Sequence, residues 1–114
     1  MTPTRRKLAP DIDTVIAAMV QRLADQFDPE RVILFGSRAR GDAKDWSDVD
    51  LLVVMPDGTD RREAAVGMGV ALGDLPVAKD MVVTTPSHIA ERGHVIGTVL
   101  RPALREGTVL YERA

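Results

Sequence analysis

Apolar residues first recur at helical spacing. Ile12, Val15, Ile16, Met19, Leu23 and Phe27 fall on one face of a 3.6-residue repeat, with Asp11 placed to cap the first turn and Asp28-Pro29 to end the run. Arg31 to Phe35 is a short β-branched and aromatic run between Pro29 and Gly36, which predicts a buried strand. From Gly36 to Ser47 the apolar pattern stops, and glycines, charged residues and a serine predict an exposed turn holding at most one helical turn. Asp48 to Met55 then forms a second strand that starts acidic, becomes continuously apolar and is broken by Pro56-Asp57-Gly58.

Asp60 to Leu72 reads as a helix with Thr59 as its cap; Gly67 and Gly69 inside it each cost about 1 kcal/mol against alanine, which close packing on the sheet would explain. Leu75 to Thr84 reads as a third strand, and Pro86 opens a helical segment. Beyond Gly93 the expectation is an irregular or short helical piece, a fresh helical turn from Pro102, and a last edge strand over Thr108 to Tyr111. Strands alternating with helices predict an α/β fold, a small mixed or parallel sheet with helices packed against it. No repeat or linker divides the chain, so residues 1–114 read as a single domain.

Composition narrows the classes of function. A chain of 114 residues supports one ordinary core. With 15 basic against 17 acidic side chains the net charge is −2, so nothing pulls the whole molecule toward nucleic acid or an anionic membrane, and a phosphate-bearing ligand would have to be held locally. The absence of cysteine excludes disulfides and thiolate metal sites. Arg5, Arg6 and Lys7 are followed by Asp11 and Asp13 where a signal peptide would be apolar, and the longest apolar run, Val66 to Gly73, falls far short of the roughly 18 residues of a membrane span. These features predict a cytoplasmic chain with no membrane partner.

The chemistry concentrates in two acids. Asp48 and Asp50 alternate on a strand, so they project from one face about 6.5–7 Å apart at the backbone, ahead of apolar Leu52 and Val54. Their carboxylates could share divalent cations, or could cap the Trp46-Ser47 turn or pair with Arg38 and Arg40. Gly36-Ser37 allows close backbone approach and offers a hydroxyl to phosphate oxygens. Two familiar phosphate motifs fail. Asp42-Ala43 stand where a Walker loop needs Lys and Ser or Thr, and Gly67-x-Gly69 lies inside a helix.

Gly36-Ser37, ten intervening residues and Asp48-Val-Asp50, in a stretch reading GSRARGDAKDWSDVDLLVV, resemble the signature of the DNA polymerase beta-like nucleotidyltransferase superfamily, and especially its minimal nucleotidyltransferases. Arg40-Gly41, Ser47, the apolar run after Asp50 and, more weakly, Leu104 to Tyr111 extend the likeness over nearly the whole chain. The resemblance implies the polymerase beta-like fold and a third carboxylate on a neighbouring strand, for which Asp80 is positioned; an ion pair with Lys79 or an arginine is the competing account of that acid. It further implies two Mg²⁺ ions held by Asp48, Asp50 and Asp80, ATP as substrate, a triphosphate tail held by Gly36 and Ser37, and charge neutralisation by Arg40 and less by Arg38, for both of which a solvated loop is the competing account.

The activity so implied is AMP transfer to a protein hydroxyl, with this chain as antitoxin to a HEPN-type toxin. Neither His88 nor His94 satisfies that toxin's Arg-x4-His-x-Tyr motif, and their spacing suits surface or capping roles. Trp46 and Phe35 are expected to pack, and Arg61-Arg62 to lie on a solvated face. Two other readings stay open: transfer to a small molecule of the aminoglycoside type, whose acceptor site at this length would come from a second subunit of a homo-oligomer or be very shallow, and a non-catalytic module that neutralises its partner by contact.

Overall fold

Helix α1, Ile12–Phe27, starts where Asp11 accepts a hydrogen bond from the Asp13 N–H at 3.0 Å and stops where Asp28 turns left-handed at φ 52°. The computed structural model describes residues 11–114, so Arg5, Arg6 and Lys7 lie outside the described residues. After α1 come β1 (Arg31–Phe35), the single turn α2 (Ser37–Arg40), β2 (Val49–Val54), α3 (Arg61–Ala71), β3 (Lys79–Thr84), α4 (Pro86–Arg92), α5 (Leu100–Glu106) and β4 (Thr108–Glu112). The sheet order is β3-β2-β1-β4, with β2 and β3 parallel and the other pairs antiparallel. The sheet is therefore mixed, as its sequence pattern allows.

Period-two alternation splits the sheet residues between two cores. Val32, Leu34, Val49, Leu51 and Val53 face Val15, Met19 and Leu23 of α1 and Met68 of α3. On the other face Ile33, Phe35 and Leu52 pack under Leu100 and Ala103 of α5. Both faces of β2 are covered, which explains its nearly unbroken apolar run. Arg22 closes the α1–α3 layer by donating to the Ala71 carbonyl at 3.0 Å and pairing with Asp74 at 2.5 Å.

Three boundaries differ from the sequence expectation. The cap of α3 is Asp60, which accepts from the Glu63 N–H at 3.0 Å, so Thr59 stands outside the helix. Strand β3 begins at Lys79, not Leu75, because Pro76 carries no N–H and the Val77 N–H turns back to the Leu75 carbonyl at 2.9 Å. Helix α5 begins at Leu100 and takes Pro102 within its first turn, where a missing N–H breaks no helical bond. Of the α3 glycines, Gly67 meets the Phe27 ring, 3.2 Å from where its Cβ would stand, whereas a Cβ at Gly69 would meet nothing within 4 Å among the described residues.

Gly107 joins α5 to β4 at a tight crossing, where an added Cβ would lie 2.5 Å from Ile33 Cγ2 and 3.0 Å from the Leu34 carbonyl oxygen and would also strike the Ala103 carbonyl. Two of these neighbours are backbone, so relief requires moving β1 against α5. Gly107→Ala is expected to destabilise the fold by about 1–3 kcal/mol, read as a lowered denaturant midpoint at unchanged m-value.

Candidate active site

Three acids meet where β1 ends and β2 and β3 begin. Asp50 sits opposite Phe35 in the β1–β2 register and beside Asp80 in the parallel β2–β3 register. Residues side by side in a ladder share a face, so Asp50 and Asp80 project together from the α5 side of the sheet. Asp48 precedes β2 by one residue and has the parity of Asp50. Asp50 is half-buried, whereas Asp48 and Asp80 are exposed.

The electrostatics follow from that placement. Burial pushes the Asp50 carboxyl above the ordinary carboxylate range, the negative charges of Asp48 and then Asp80 push it the same way, and Arg40 pulls partly back. Among the described residues none of the three acids forms a salt bridge. The ion pairs considered from sequence are thus not formed. Lys79 turns away and donates to the Leu75 and Val77 carbonyls at 3.2 and 2.7 Å. Arg40 reaches Asp42 at 3.4 Å.

Arg38 serves the loop instead. Its guanidinium donates to the Ser47 carbonyl at 2.8 Å, the Lys44 carbonyl at 3.2 Å and the Asp45 carbonyl at 3.3 Å. Within the same turn the Ser47 N–H donates to the Lys44 carbonyl at 3.0 Å, and the Ser47 hydroxyl accepts from the Lys44 N–H at 2.8 Å. This clamp sets the entry of β2 and hence the direction of Asp48 and Asp50. It also lifts Trp46 out of the protein: Phe35 is buried as expected, but Trp46 is 79% exposed at the crown of the turn. The expectation that Trp46 packs fails because the turn is closed by polar bonds beneath it.

Gly36 is the second positioning element. Its φ of +77° favours glycine, and any Cβ at this position would collide with the Asp50 carboxylate. The close approach expected at Gly36 is therefore made first by Asp50. Ser37 follows as the opening residue of α2, with its hydroxyl unpartnered among the described residues.

The site is an open shelf. Among the described residues no three acids or histidines stand close enough to form a ready-made metal cage. A concavity of about 690 Å³ along α5, between Thr98 and Glu106, contains none of the three acids. What the shelf offers is hard carboxylate oxygen on one side of the sheet, the donor chemistry that suits a divalent cation.

Comparison with known proteins agrees with this geometry. The profile of the nucleotidyltransferase domain family matches residues 16–103. The chain belongs to that family. A structure of a candidate minimal nucleotidyltransferase shares 30% identity over 87% of this chain and 95% of that one, with a TM-score of 0.53. A nucleotidyltransferase candidate from Sulfolobus solfataricus aligns at 23% identity over 88% and 79% of the two chains, with a TM-score of 0.62. A toxin-antitoxin structure with AMP-PNP aligns at 24% identity over 90% and 75%, with a TM-score of 0.56. No curated protein matches the sequence. The fold of this nucleotidyltransferase domain is accordingly the polymerase beta-like one, and no helix among its described residues is long and apolar enough to cross a membrane.

The histidines stand apart from the acids. The His88 ring shares a hydrogen bond with the buried Thr84 hydroxyl at 2.9 Å and faces Arg61 at 2.8 Å, so it ties α4 to β3 rather than lying on the surface; His94 is exposed.

Because the Asp50 carboxyl titrates higher in the folded state than in the unfolded chain, its ionisation opposes folding. The native state gains most below the ordinary carboxylate range and loses that advantage as pH rises through the raised value. Asp50→Asn should therefore raise the thermal midpoint of the metal-free domain at pH 7. The gain should shrink toward zero as pH falls below the usual aspartate range, measured by melts across a pH series.

Proposed function

We propose that this domain transfers AMP from ATP to a hydroxyl on a protein partner, in a Mg²⁺-dependent reaction, as the antitoxin half of a toxin-antitoxin pair. The observation that carries the reading is a half-buried Asp50 lodged between two further carboxylates, with no basic side chain among the described residues paired to any of them. Family membership supports the reaction class, and the AMP-PNP and toxin-antitoxin likeness supports the nucleotide and the partner.

Asp48, Asp50 and Asp80 are the residues that would hold the cations. Mg²⁺ held there would supply charge neutralisation on the triphosphate and a lowered pKa for the attacking hydroxyl. Asp80 lies on the edge strand β3 and takes the proton of the acceptor hydroxyl. The acceptor oxygen forms a bond to the α-phosphorus, the bond from that phosphorus to the bridging oxygen breaks, and pyrophosphate leaves with the electron pair. Gly36 and Ser37 hold the triphosphate tail through the small turn and the free hydroxyl. Arg40 places its positive charge beside it, a role supported by the pull it exerts on the Asp50 carboxyl. Arg38 is spent on the loop and acts through position alone.

Incubation with α-labelled ATP, Mg²⁺ and the product of the open reading frame beside its own should label that product and raise its mass by whole AMP units. Asp48→Asn, Asp50→Asn and Asp80→Asn should each lower the rate by about 100-fold or more, and chelation should abolish it. Neutralisation of the partner that survives in all three variants would point to the contact-only module, and label on an aminoglycoside but not on protein would reassign the acceptor.

A further inference from the structure

Helix α3 carries an exposed stripe that no other described element covers. Arg62, Val66, Gly69, Val70 and Gly73 fall within about 100° of one another around a 3.6-residue helix and its continuing last turn. All five are exposed, Val66 at 65% and Val70 at 78%, while Met68 and Leu72 bury the opposite side. A Cβ at Gly69 would meet nothing within 4 Å among the described residues. Glycine at such a position costs about 1 kcal/mol against alanine, and valine is a poorer helix former than the lysine or glutamate that water would favour. Solvent alone does not account for this combination.

The stripe is complementary to itself. Two copies of α3 laid antiparallel about a two-fold axis between residues 69 and 70 place Val66 of each copy against Gly73 of the other, and Val70 against Gly69. Each protruding valine meets a missing side chain, so the helices can approach closely, and a self-complementary patch is what a two-fold contact requires. Arg62 has no hydrogen bond or ion pair among the described residues, and the antiparallel arrangement puts it at the end of the second copy's α3 from which Asp74, an exposed carboxylate shared with Arg22, follows.

We propose that the domain forms a two-fold dimer through antiparallel α3 helices, with Val66 and Val70 seated on Gly73 and Gly69 of a second copy. Helix α3 packs on the sheet face opposite Asp50 and Asp80, so this dimer leaves both acid shelves open. One helix pair is a small interface, so association is concentration-dependent, half-complete at roughly 1–100 µM.

Sedimentation equilibrium on the full chain tests it. The wild type should move from its 12.4 kDa monomer toward twice that mass over this range. Gly69→Leu, whose Cβ would meet nothing within 4 Å among the described residues, should weaken association at least 10-fold while keeping the circular dichroism spectrum and the thermal midpoint of the monomer, and Val66→Glu with Val70→Glu should do the same. A wild type that stays monomeric throughout, or a dimer whose association Gly69→Leu leaves unchanged, would overturn the proposal. Should the double glutamate variant lose its folded spectrum, Gly69→Leu decides alone.

Discussion

Like charges crowded at one end of a β-sheet set the terms for the rest of this structure. Asp50 is half-buried beside Asp48 and Asp80, and each ionised neighbour makes its own ionisation harder. Such an arrangement persists only if the backbone holds it by means other than the charges themselves. Three devices do so: the parallel β2–β3 register that sets Asp50 beside Asp80, the Gly36 turn against the Asp50 carboxylate, and the Arg38 clamp that fixes the approach to β2. None of these uses a positive charge to quench the acids, which leaves their field available to a ligand.

The two-faced sheet separates support from chemistry. On one side α1 and α3 build the larger apolar core, anchored by Met19, Leu23 and Met68. On the other, α5 covers Ile33, Phe35 and Leu52 and leaves the strand ends beyond them clear, which is where Asp50 and Asp80 emerge. The apolar run of β2 is rigid because both sides are filled, and its first residues inherit that rigidity. A shelf so exposed contacts a large acceptor more readily than it encloses a small one, in keeping with a protein hydroxyl as acceptor in the proposed reaction.

The clamp around Trp46 and the stripe on α3 share a logic. In each, apolar surface is held in water by a local framework whose bonding is complete: the Lys44–Ser47 turn under Trp46 and the Met68 and Leu72 side of α3. Neither exposure comes from a loosely placed segment. The first of these stands next to the acids, and the second lies on the helix packed against the sheet face opposite Asp50 and Asp80.

Sequence by itself determined the elements and the acid pair. Helical spacing from Ile12 to Phe27, the β-branched run of β1 and the breakers at Pro29, Gly36 and Pro56 are local signals, and local signals govern local backbone. The alternation of Asp48 and Asp50 already placed both on one face. What remained open was everything set by contacts between segments distant in the chain: the start of β3 after Pro76, the alignment of Asp80 with Asp50, the diversion of Lys79 and Arg38 to backbone carbonyls, and the exposure of Trp46. A one-residue slip in β3 would have turned Asp80 to the other face, and nothing within that strand's own composition forbids it. Only pairing along β2, with Val82 alongside Leu52 on the α5 side and Val83 alongside Val53 on the other, chooses the register, because burying each row in its own core is a property of the assembled sheet.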